Sequence, residues 1–286
     1  GYITDAVTGD NMSGVGMWYA SGMNKDYYIH TDEFTYYGKA DDNGAWSLNK
    51  NAGWYTINSW KSGYYDEYVN VFACGDQPNQ DSALSAKLVP GAMRIMLRWP
   101  KTSPATGDDL DSHLFIPATY DNGTQCDLEI NNDSTSDGIC HLWFRTTQSS
   151  PVTYTGVSTK DYHEYGTGDY VTLDRDEKDA PGTETMTISK VRSGVYSYSV
   201  HNFENLDADI DDSESTIFKK SRARVKVLYC AAAPCETSSP TFYRKKFHVP
   251  NDNGTLWSVF TFDKDASGPF TRVKTLSIQT DEYSIY

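Results

Sequence analysis

The chain has 286 residues, a formal net charge of −14 and 14% aromatic residues, among them 21 tyrosines. Such an acidic surface repels the phosphate backbone of nucleic acids, which argues against a nucleic-acid partner. No apolar run approaches the roughly 20 residues that cross a bilayer, so we expect no membrane span. The length favours two domains, and the tyrosines favour β-strands, because an aromatic ring packs well on a pleated surface.

The first ninety residues read as short strands separated by turns. The strands are predicted at residues 1–7, 15–19, 27–30, 34–37, 45–48, 53–59 and 68–73. Asp42-Asn43-Gly44 is typical of a hairpin, because a type I′ turn needs two residues that tolerate positive φ. Strands at such close spacing, without a helical period longer than two turns, predict a β-sandwich.

A spaced set of glycine, aspartate and aromatic residues runs through the same stretch. The set consists of Gly1-x-Ile3-x-Asp5-Ala6-x-Thr8-Gly9, Met12-Ser-Gly-Val15, Ala40-Asp-Asp-Asn-Gly44-Ala-Trp46, Ala52-Gly-x-Tyr55 and Ser62-Gly-Tyr64. Over residues 1–88 this order resembles the carboxypeptidase regulatory-like domain. The resemblance implies an immunoglobulin-like or transthyretin-like Greek-key sandwich, an accessory module without catalysis that is common in exported and surface proteins.

After a polar join at residues 75–85, an alternating strand at residues 93–99 opens the second half. Further strands are predicted at residues 108–115, 182–188, 194–203, 222–228, 256–263 and 273–278. The motifs in this half are Asp108-Asp-Leu-Asp-Ser-His-Leu114, Leu173-Asp-Arg-Asp176 and Pro181-Gly-Thr-Glu-Thr-Met-Thr-Ile188. They resemble, over residues 92–265, a widespread bacterial family of uncharacterised function, from which the chain departs at residues 180–184. The resemblance implies a second, larger sandwich, so we predict an all-β chain of two tandem β-sandwich domains, residues 1–88 and 92–286.

The aspartate-rich strand carries the best candidate for a metal site. Alternate residues of a strand share a face, so Asp109, Asp111 and His113 are predicted to point the same way. Asp174, Asp176 or Glu184 would complete an oxygen-rich shell, which favours Ca²⁺. The alternative is a solvated strand face whose side chains pair with arginine, lysine or backbone amides.

Nucleophilic catalysis has little support in the sequence. No Gly-x-Ser-x-Gly motif is present, and the adjacent residues Ser112 and His113 would face opposite sides of their strand. We therefore expect a protein that is not an enzyme.

The five cysteines include two candidate disulfide pairs. Cys126 and Cys140 flank a polar loop, Cys230 and Cys235 enclose a tight one, and Cys74 is left over; five reduced thiols are the alternative. Glycosylation motifs begin at Asn11, Asn122, Asn132 and Asn253. The chain opens without a charged-then-apolar leader, which is typical of a mature exported protein, so an extracellular or cell-surface location is expected.

Both ends of the chain read as strands, which favours assembly. The opening strand alternates and consists of Gly1, Tyr2, Ile3, Thr4, Asp5, Ala6 and Val7. We expect it to be donated to a neighbouring copy, because strand addition to a sheet edge is a known recognition mode and a head-to-tail contact that does not close builds a helical filament. The expected function is that of a pilus-like fibre subunit. The alternative is a monomeric adhesin that binds glycans or proteins through Trp54, Trp60, Tyr64 and Tyr65.

Overall fold

The computed structural model describes residues 1–25, 31–78, 80–99, 109–117, 139–143, 161–166, 169–178, 182–203 and 221–277. In these residues the protein is all-β, with several antiparallel sheets. The chain divides into two units, Gly1–Lys87 and Leu88–Tyr286, next to the boundary at 88–92 that the sequence predicts. Among the described residues, no helix has the length and apolar character needed to cross a membrane.

The first unit contains a four-stranded antiparallel sheet and a two-stranded parallel one. Its strands are β1 (Ile3–Asp5), β2 (Gly16–Ser21), β3 (Thr35–Lys39), β4 (Gly53–Trp60), β5 (Glu67–Ala73) and β6 (Ser82–Leu84). The larger sheet has the order β3-β2-β4-β5, and β1 pairs with β6. The core includes the fully buried Ile3, Met17, Ile57 and Leu84. On β4, Tyr55 and Ile57 belong to this core, whereas Trp54 and Trp60 near the two ends of the strand are exposed.

The opening strand pairs within its own unit, which makes the predicted donation of residues Gly1–Val7 to a neighbour wrong. Ile3, Thr4 and Asp5 align with residues 82–84 of β6. The Ile3 amide donates to the Gly44 carbonyl at 2.9 Å, and the Ala6 amide donates to the Leu84 carbonyl at 2.9 Å. Ile3 and Ala6 are completely buried. The alternation predicted a strand correctly, but it could not identify the strand's partner.

The predicted hairpin at residues 42–44 is a tight turn outside any strand pair. The Gly44 amide donates to the Asp41 carbonyl at 3.0 Å, and Gly44 has a φ of 73°. A Cβ at this position would lie 2.7 Å from the Ile3 carbonyl oxygen. Gly44 therefore allows β1 to approach the turn closely. The predicted strand at 45–48 does not form, and the one at 27–30 lies outside the described residues.

Two antiparallel sheets form the second unit. Its strands are β7 (Met93–Trp99), β8 (Leu110–Pro117), β9 (Ile139–Leu142), β10 (Asp161–Gly166), β11 (Asp169–Arg175), β12 (Gly182–Ile188), β13 (Val195–Asn202), β14 (Arg224–Cys230), β15 (Phe242–His248), β16 (Leu256–Asp263) and β17 (Phe270–Ser277). One sheet has the order β10-β11-β12-β7-β14-β15, and the other β17-β16-β13-β8-β9. Side chains from both sheets form a single core that includes Trp99, Leu114, Met186 and Phe260. The arrangement is sandwich-like.

One of the two candidate disulfides is present. Cys230 and Cys235 are bonded, with their Cα atoms 5.3 Å apart, and the bond joins the end of β14 to the loop that leads to β15. Cys74 is exposed and carries a free thiol. Cys126 and the side chain of Cys140 lie outside what the structure describes, so their pairing stays a prediction.

Gly182 is required by the packing of the second core. It aligns with Trp99 of β7, and a Cβ at Gly182 would lie 2.1 Å from Cζ2 of the Trp99 ring. The ring is completely buried, so it has little room to move. Glycine is therefore the residue that lets β12 and the indole share this space.

We expect Gly182→Ala to lower the free energy of unfolding by about 1–3 kcal/mol, the usual cost of overpacking a core. Urea denaturation followed by tryptophan fluorescence measures the change. Gly268→Ala is the matched control, because a Cβ there meets nothing within 4 Å, and it should change stability by less than about 0.5 kcal/mol. Equal effects of the two substitutions would contradict this account of the Trp99 packing.

Candidate functional site

Three carboxylates converge in the second unit. They belong to Asp111 on β8, Asp176 just after β11, and Glu184 on β12. One oxygen from each lies within 4.8 Å of the other two. Asp111 and Glu184 are only 3% and 1% exposed, respectively. These three residues are called the acidic cluster below.

A β-bulge places Asp176 in the acidic cluster. Leu173 pairs with Met186, but the register then shifts, and Arg175 pairs with Thr185. The extra residue in the bulge is Asp174. Since Arg175 is opposite Thr185, the next residue along the chain, Asp176, falls beside Glu184. Without the bulge, Asp174 and Asp176 would share a face, as simple alternation predicts.

Glu184 enters the cluster from the core side of its strand. The core residue Met186 is two positions further along β12 and has the same orientation. The Ser112 amide donates to Oε2 of Glu184 at 2.8 Å. Among the described residues, Oε1 of Glu184 has no hydrogen-bond donor. Burial, followed by the charges of Asp111 and Asp176, raises the pKa of Glu184 well above its usual value.

The predicted metal ligands are therefore only partly brought together. Asp111 and Asp176 are in the acidic cluster, joined by Glu184, which the sequence offered as an alternative ligand. Asp174 is elsewhere, accepting hydrogen bonds from the hydroxyls of Thr172 and Thr187. Asp109 precedes β8 and is not a member of the cluster.

His113 belongs to a separate row of buried histidines. Its Nδ1 lies 2.9 Å from Nε2 of His141, and its ring centroid is 5.9 Å from that of His201. The three side chains are at most 5% exposed. Burial lowers the pKa of His113 well below its usual value, and the neighbouring His141 and His201 lower it further. Burial also lowers the pKa of His141 to about 3, so His113 and His141 are held in the neutral form.

Strand order, and no motif in the sequence, brings the three histidines together. His113 is on β8, His141 on the neighbouring β9 and His201 on β13, which pairs with the other edge of β8. The rings of Phe115 and Trp143 stack on His141, with centroids 4.3 and 5.3 Å away. Sequence reasoning missed His141 and His201, because the pairing of β8 with its two neighbours is not visible in residue spacing.

The first unit carries exposed aromatic rings on one side of its larger sheet. Trp54 and Phe72 pair across β4 and β5 with ring centroids 4.9 Å apart, and Trp18 and Tyr36 pair across β2 and β3 at 5.1 Å. The rings that define this aromatic face are Trp18, Tyr36, Trp54, Trp60 and Phe72. Four of them are 40–50% exposed, and Trp18 is partly buried.

Two of the four aromatic residues expected at a binding surface are not available for binding. Tyr65 is only 2% exposed. Tyr64 is half-buried, and its hydroxyl donates to Oδ2 of Asp5 at 2.9 Å. Trp54 and Trp60 are exposed, as expected, at 43% and 49%.

A cationic edge lies where the two sheets of the second unit end. Strand β15 is the last of the six-stranded sheet and β17 of the five-stranded sheet. The Arg272 guanidinium on β17 donates to the Lys246 carbonyl on β15 at 3.0 Å, which holds the two end strands side by side. Lys245, Lys246 and Arg272 are exposed. The cationic edge consists of Arg244, Lys245, Lys246 and Arg272.

Two of the four predicted glycosylation sites are described. Asn11 is exposed, and Asn253 is half-buried. Asn122 and Asn132 lie outside the described residues, so those sites remain predictions.

Comparison with protein-family models, curated proteins and solved structures finds no match to this chain. The two family resemblances rest on their motif residues alone.

We expect the histidine row to make the protein sensitive to acid. The unfolded chain takes up a proton at each histidine near pH 6.5, whereas folding keeps His113 and His141 neutral well below that pH. Stability is therefore lost as the pH falls from about 6.5 towards 3, by roughly 1.4 kcal/mol per pH unit for each such histidine. Urea denaturation at several pH values measures this slope.

His141→Gln provides the comparison, because glutamine keeps a hydrogen-bonding group that does not titrate. Its stability should fall less steeply with acid than that of the parent, by about one histidine's share. Glu184 acts in the opposite direction: its raised pKa contributes stability below pH 4.5 that is lost as the pH rises. Both proteins contain Glu184, so the difference between their slopes isolates His141. Identical slopes would show that His141 is not held neutral.

Proposed function

We propose that this protein is a non-enzymatic, extracellular structural subunit that assembles with its own copies into a surface fibre. The observation that carries the proposal is that one chain has two unlike and chemically complementary surfaces, the aromatic face and the cationic edge. Contact between the face of one copy and the edge of the next is heterologous. Such contacts build a helical filament when their rotation does not close a ring.

The chemistry of the two surfaces supports this contact. A cluster of exposed aromatic rings is more often an interaction site than a surface that simply faces solvent. Lysine and arginine are attracted to the faces of tryptophan and tyrosine rings, by about 0.5–1 kcal/mol each at exposed sites. Residues 1–87 contain 11 acidic residues against 5 lysines and no arginine. The unit that carries the rings is therefore acidic and attracts a cationic partner surface.

We propose that side chains, more than strand addition, form the contact between one copy and the next. Lysine on an end strand discourages backbone pairing with another strand, and Lys245 and Lys246 are both exposed on β15. Their ammonium groups can still reach the rings of a neighbour. This contact replaces the donation of the opening strand, which the first unit uses for itself.

The location and the finer fold are parts of the same proposal. The Cys230–Cys235 disulfide supports an oxidising, extracellular setting, since disulfides are rare in reducing compartments. We assign the first unit to the immunoglobulin-like Greek-key sandwiches and the second to a larger sandwich. The pairing of β1 with β6 opposite a four-stranded antiparallel sheet supports the first assignment.

The second candidate function is glycan binding by a monomeric adhesin. The paired rings of Trp54 and Phe72 favour it, because exposed rings offer a flat apolar surface and the tryptophan also carries a polar N–H. Asn70, two residues before Phe72 on β5, lies on the same side of the strand. Its side-chain amide is hydrogen-bonded to Asn24 and Thr56, so the rings would make the contact with a glycan.

The fibre proposal is tested with two interface variants, Lys245→Glu with Lys246→Glu, and Trp54→Ala with Trp60→Ala. Sedimentation velocity and negative-stain microscopy of the parent should show filaments at low salt that shorten as salt screens the contact. Each variant alone should be monomeric, because each lacks one of the two surfaces. An equimolar mixture should form one-to-one dimers and no filaments, since only one contact per pair remains intact.

The matched control for the charge reversal is Lys178→Glu with Lys190→Glu, two exposed lysines of the same unit that are outside the cationic edge. This variant should assemble like the parent. A parent that stays monomeric at every salt concentration contradicts the fibre proposal. If oligosaccharides then quench the tryptophan fluorescence of the parent but not of the Trp54→Ala protein, the adhesin function is the correct one.

A further inference from the structure

We propose that Asp111, Asp176 and Glu184 bind a calcium ion that links the two sheets of the second unit. The inference is independent of the fibre proposal, since it concerns the interior of one unit. Asp111 belongs to the five-stranded sheet, whereas Glu184 belongs to the six-stranded sheet and Asp176 follows one of its strands. A shared cation would therefore connect strands that have no backbone hydrogen bonds to each other.

The spacing of the carboxylates suits one shared ion. Calcium binds oxygen at about 2.3–2.6 Å, so two ligands of the same ion are at most about 5 Å apart. The three oxygens lie within 4.8 Å of one another. Three ionised carboxylates at that distance repel one another strongly in a buried site, unless a positive charge lies between them.

The second, independent observation is the environment of Glu184. Its side chain is only 1% exposed, and one of its oxygens, Oε2, accepts a hydrogen bond from the Ser112 amide at 2.8 Å. The other oxygen, Oε1, has no hydrogen-bond donor among the described residues. A buried carboxylate oxygen without a donor loses the stabilisation that water gave it, and a cation at the cluster would restore it.

The ligand chemistry selects the class of ion. All three groups are carboxylates, which suit hard cations such as Ca²⁺ and Mg²⁺ and disfavour the softer metals that prefer sulfur or imidazole. Calcium accepts six to eight oxygens in flexible geometry, so water and carbonyl oxygens can complete its shell. Magnesium requires a near-ideal octahedron at 2.0–2.1 Å. A site made from an irregular bulge and two different sheets fits calcium better.

A proton is the competing occupant of the cluster. Glu184 in its acid form can donate to Asp176, and this would satisfy the otherwise donor-free carboxylate without any metal. The two occupants differ in one measurable respect. Calcium must displace the proton, because a metal ligand has to be deprotonated, so calcium binding would release protons into the buffer.

The experiment uses the full chain after treatment with a chelator and removal of the chelator. Isothermal titration with CaCl₂ at pH 6.5 should show one ion per chain. Repeating it in two buffers of different ionisation enthalpy should reveal proton release. The melting temperature in calcium should exceed that in chelator, since a ligand that binds only the folded state stabilises it. Magnesium should bind more weakly.

Two variants identify the ligands. Glu184→Gln and Asp176→Asn keep the shape of each side chain and remove its charge, so calcium affinity should fall at least about tenfold, because ligand charge sets affinity in such sites. Glu177→Gln is the matched control. Glu177 is next to Asp176 but forms an ion pair with Arg175 at 2.7 Å, and its loss should leave calcium affinity unchanged.

Several results would overturn the proposal. One is a parent with neither binding heat nor a calcium-dependent melting temperature. If, in addition, Glu184→Gln is more stable than the parent, the occupant is a proton. Unchanged calcium affinity in both ligand variants would place the ion elsewhere. Tighter binding of Zn²⁺ than of Ca²⁺ would show that the ion class is wrong. Circular dichroism of each variant in chelator checks that it has folded.

Discussion

The pairing of β7 with β12 sets the geometry on which most of the second unit depends. Residues 93–99 and 182–188 align without interruption, from Met93 opposite Ile188 to Trp99 opposite Gly182. This register brings the indole over a residue without a side chain, and it also turns Glu184 towards the core. Strand β14 pairs with the other side of β7, so β7 is held from both sides. A shift of one residue would reverse the orientation of every side chain on β12.

The second unit contains two groups of buried ionisable side chains, and each meets the cost of burial differently. A histidine can be neutral at neutral pH, so it can be buried without a charge. Stacking of the histidines with one another and with Phe115 and Trp143 gives their rings contacts in place of the lost contacts with water. The carboxylates are ionised at neutral pH in water, so burial leaves them needing either a proton or a counter-charge. The predicted response to acid and the proposed response to calcium therefore belong to different parts of the same fold.

The sequence predicts local features of this protein well and distant contacts poorly. Short runs of strand-forming residues between turns locate β4 and β16 closely, and alternation locates β7, because such patterns are properties of each strand alone. The short loop between Cys230 and Cys235 makes their disulfide foreseeable for the same reason. Asp176 reaches Glu184 only because a bulge at Asp174 changes the parity of the strand, and no residue pattern marks that bulge. Tyr65 is buried and Tyr64 is held by Asp5, although both are in a turn-rich, polar stretch that predicts exposure.

The parallel pairing of β1 with β6 has a mechanical consequence. Tension applied through the two ends of the first unit pulls β1 backwards, towards Gly1, and β6 forwards, towards Lys87. Because the two strands run in the same direction, these forces slide one strand along the other and load the connecting hydrogen bonds together, in shear. In an antiparallel pair at the same place, the same forces would instead break the hydrogen bonds one after another. The closing strands of this unit are thus arranged to resist stretching along the chain. Ile3, which is buried in the same core cluster as Met17 and Leu84, would have to leave that core before the unit could extend.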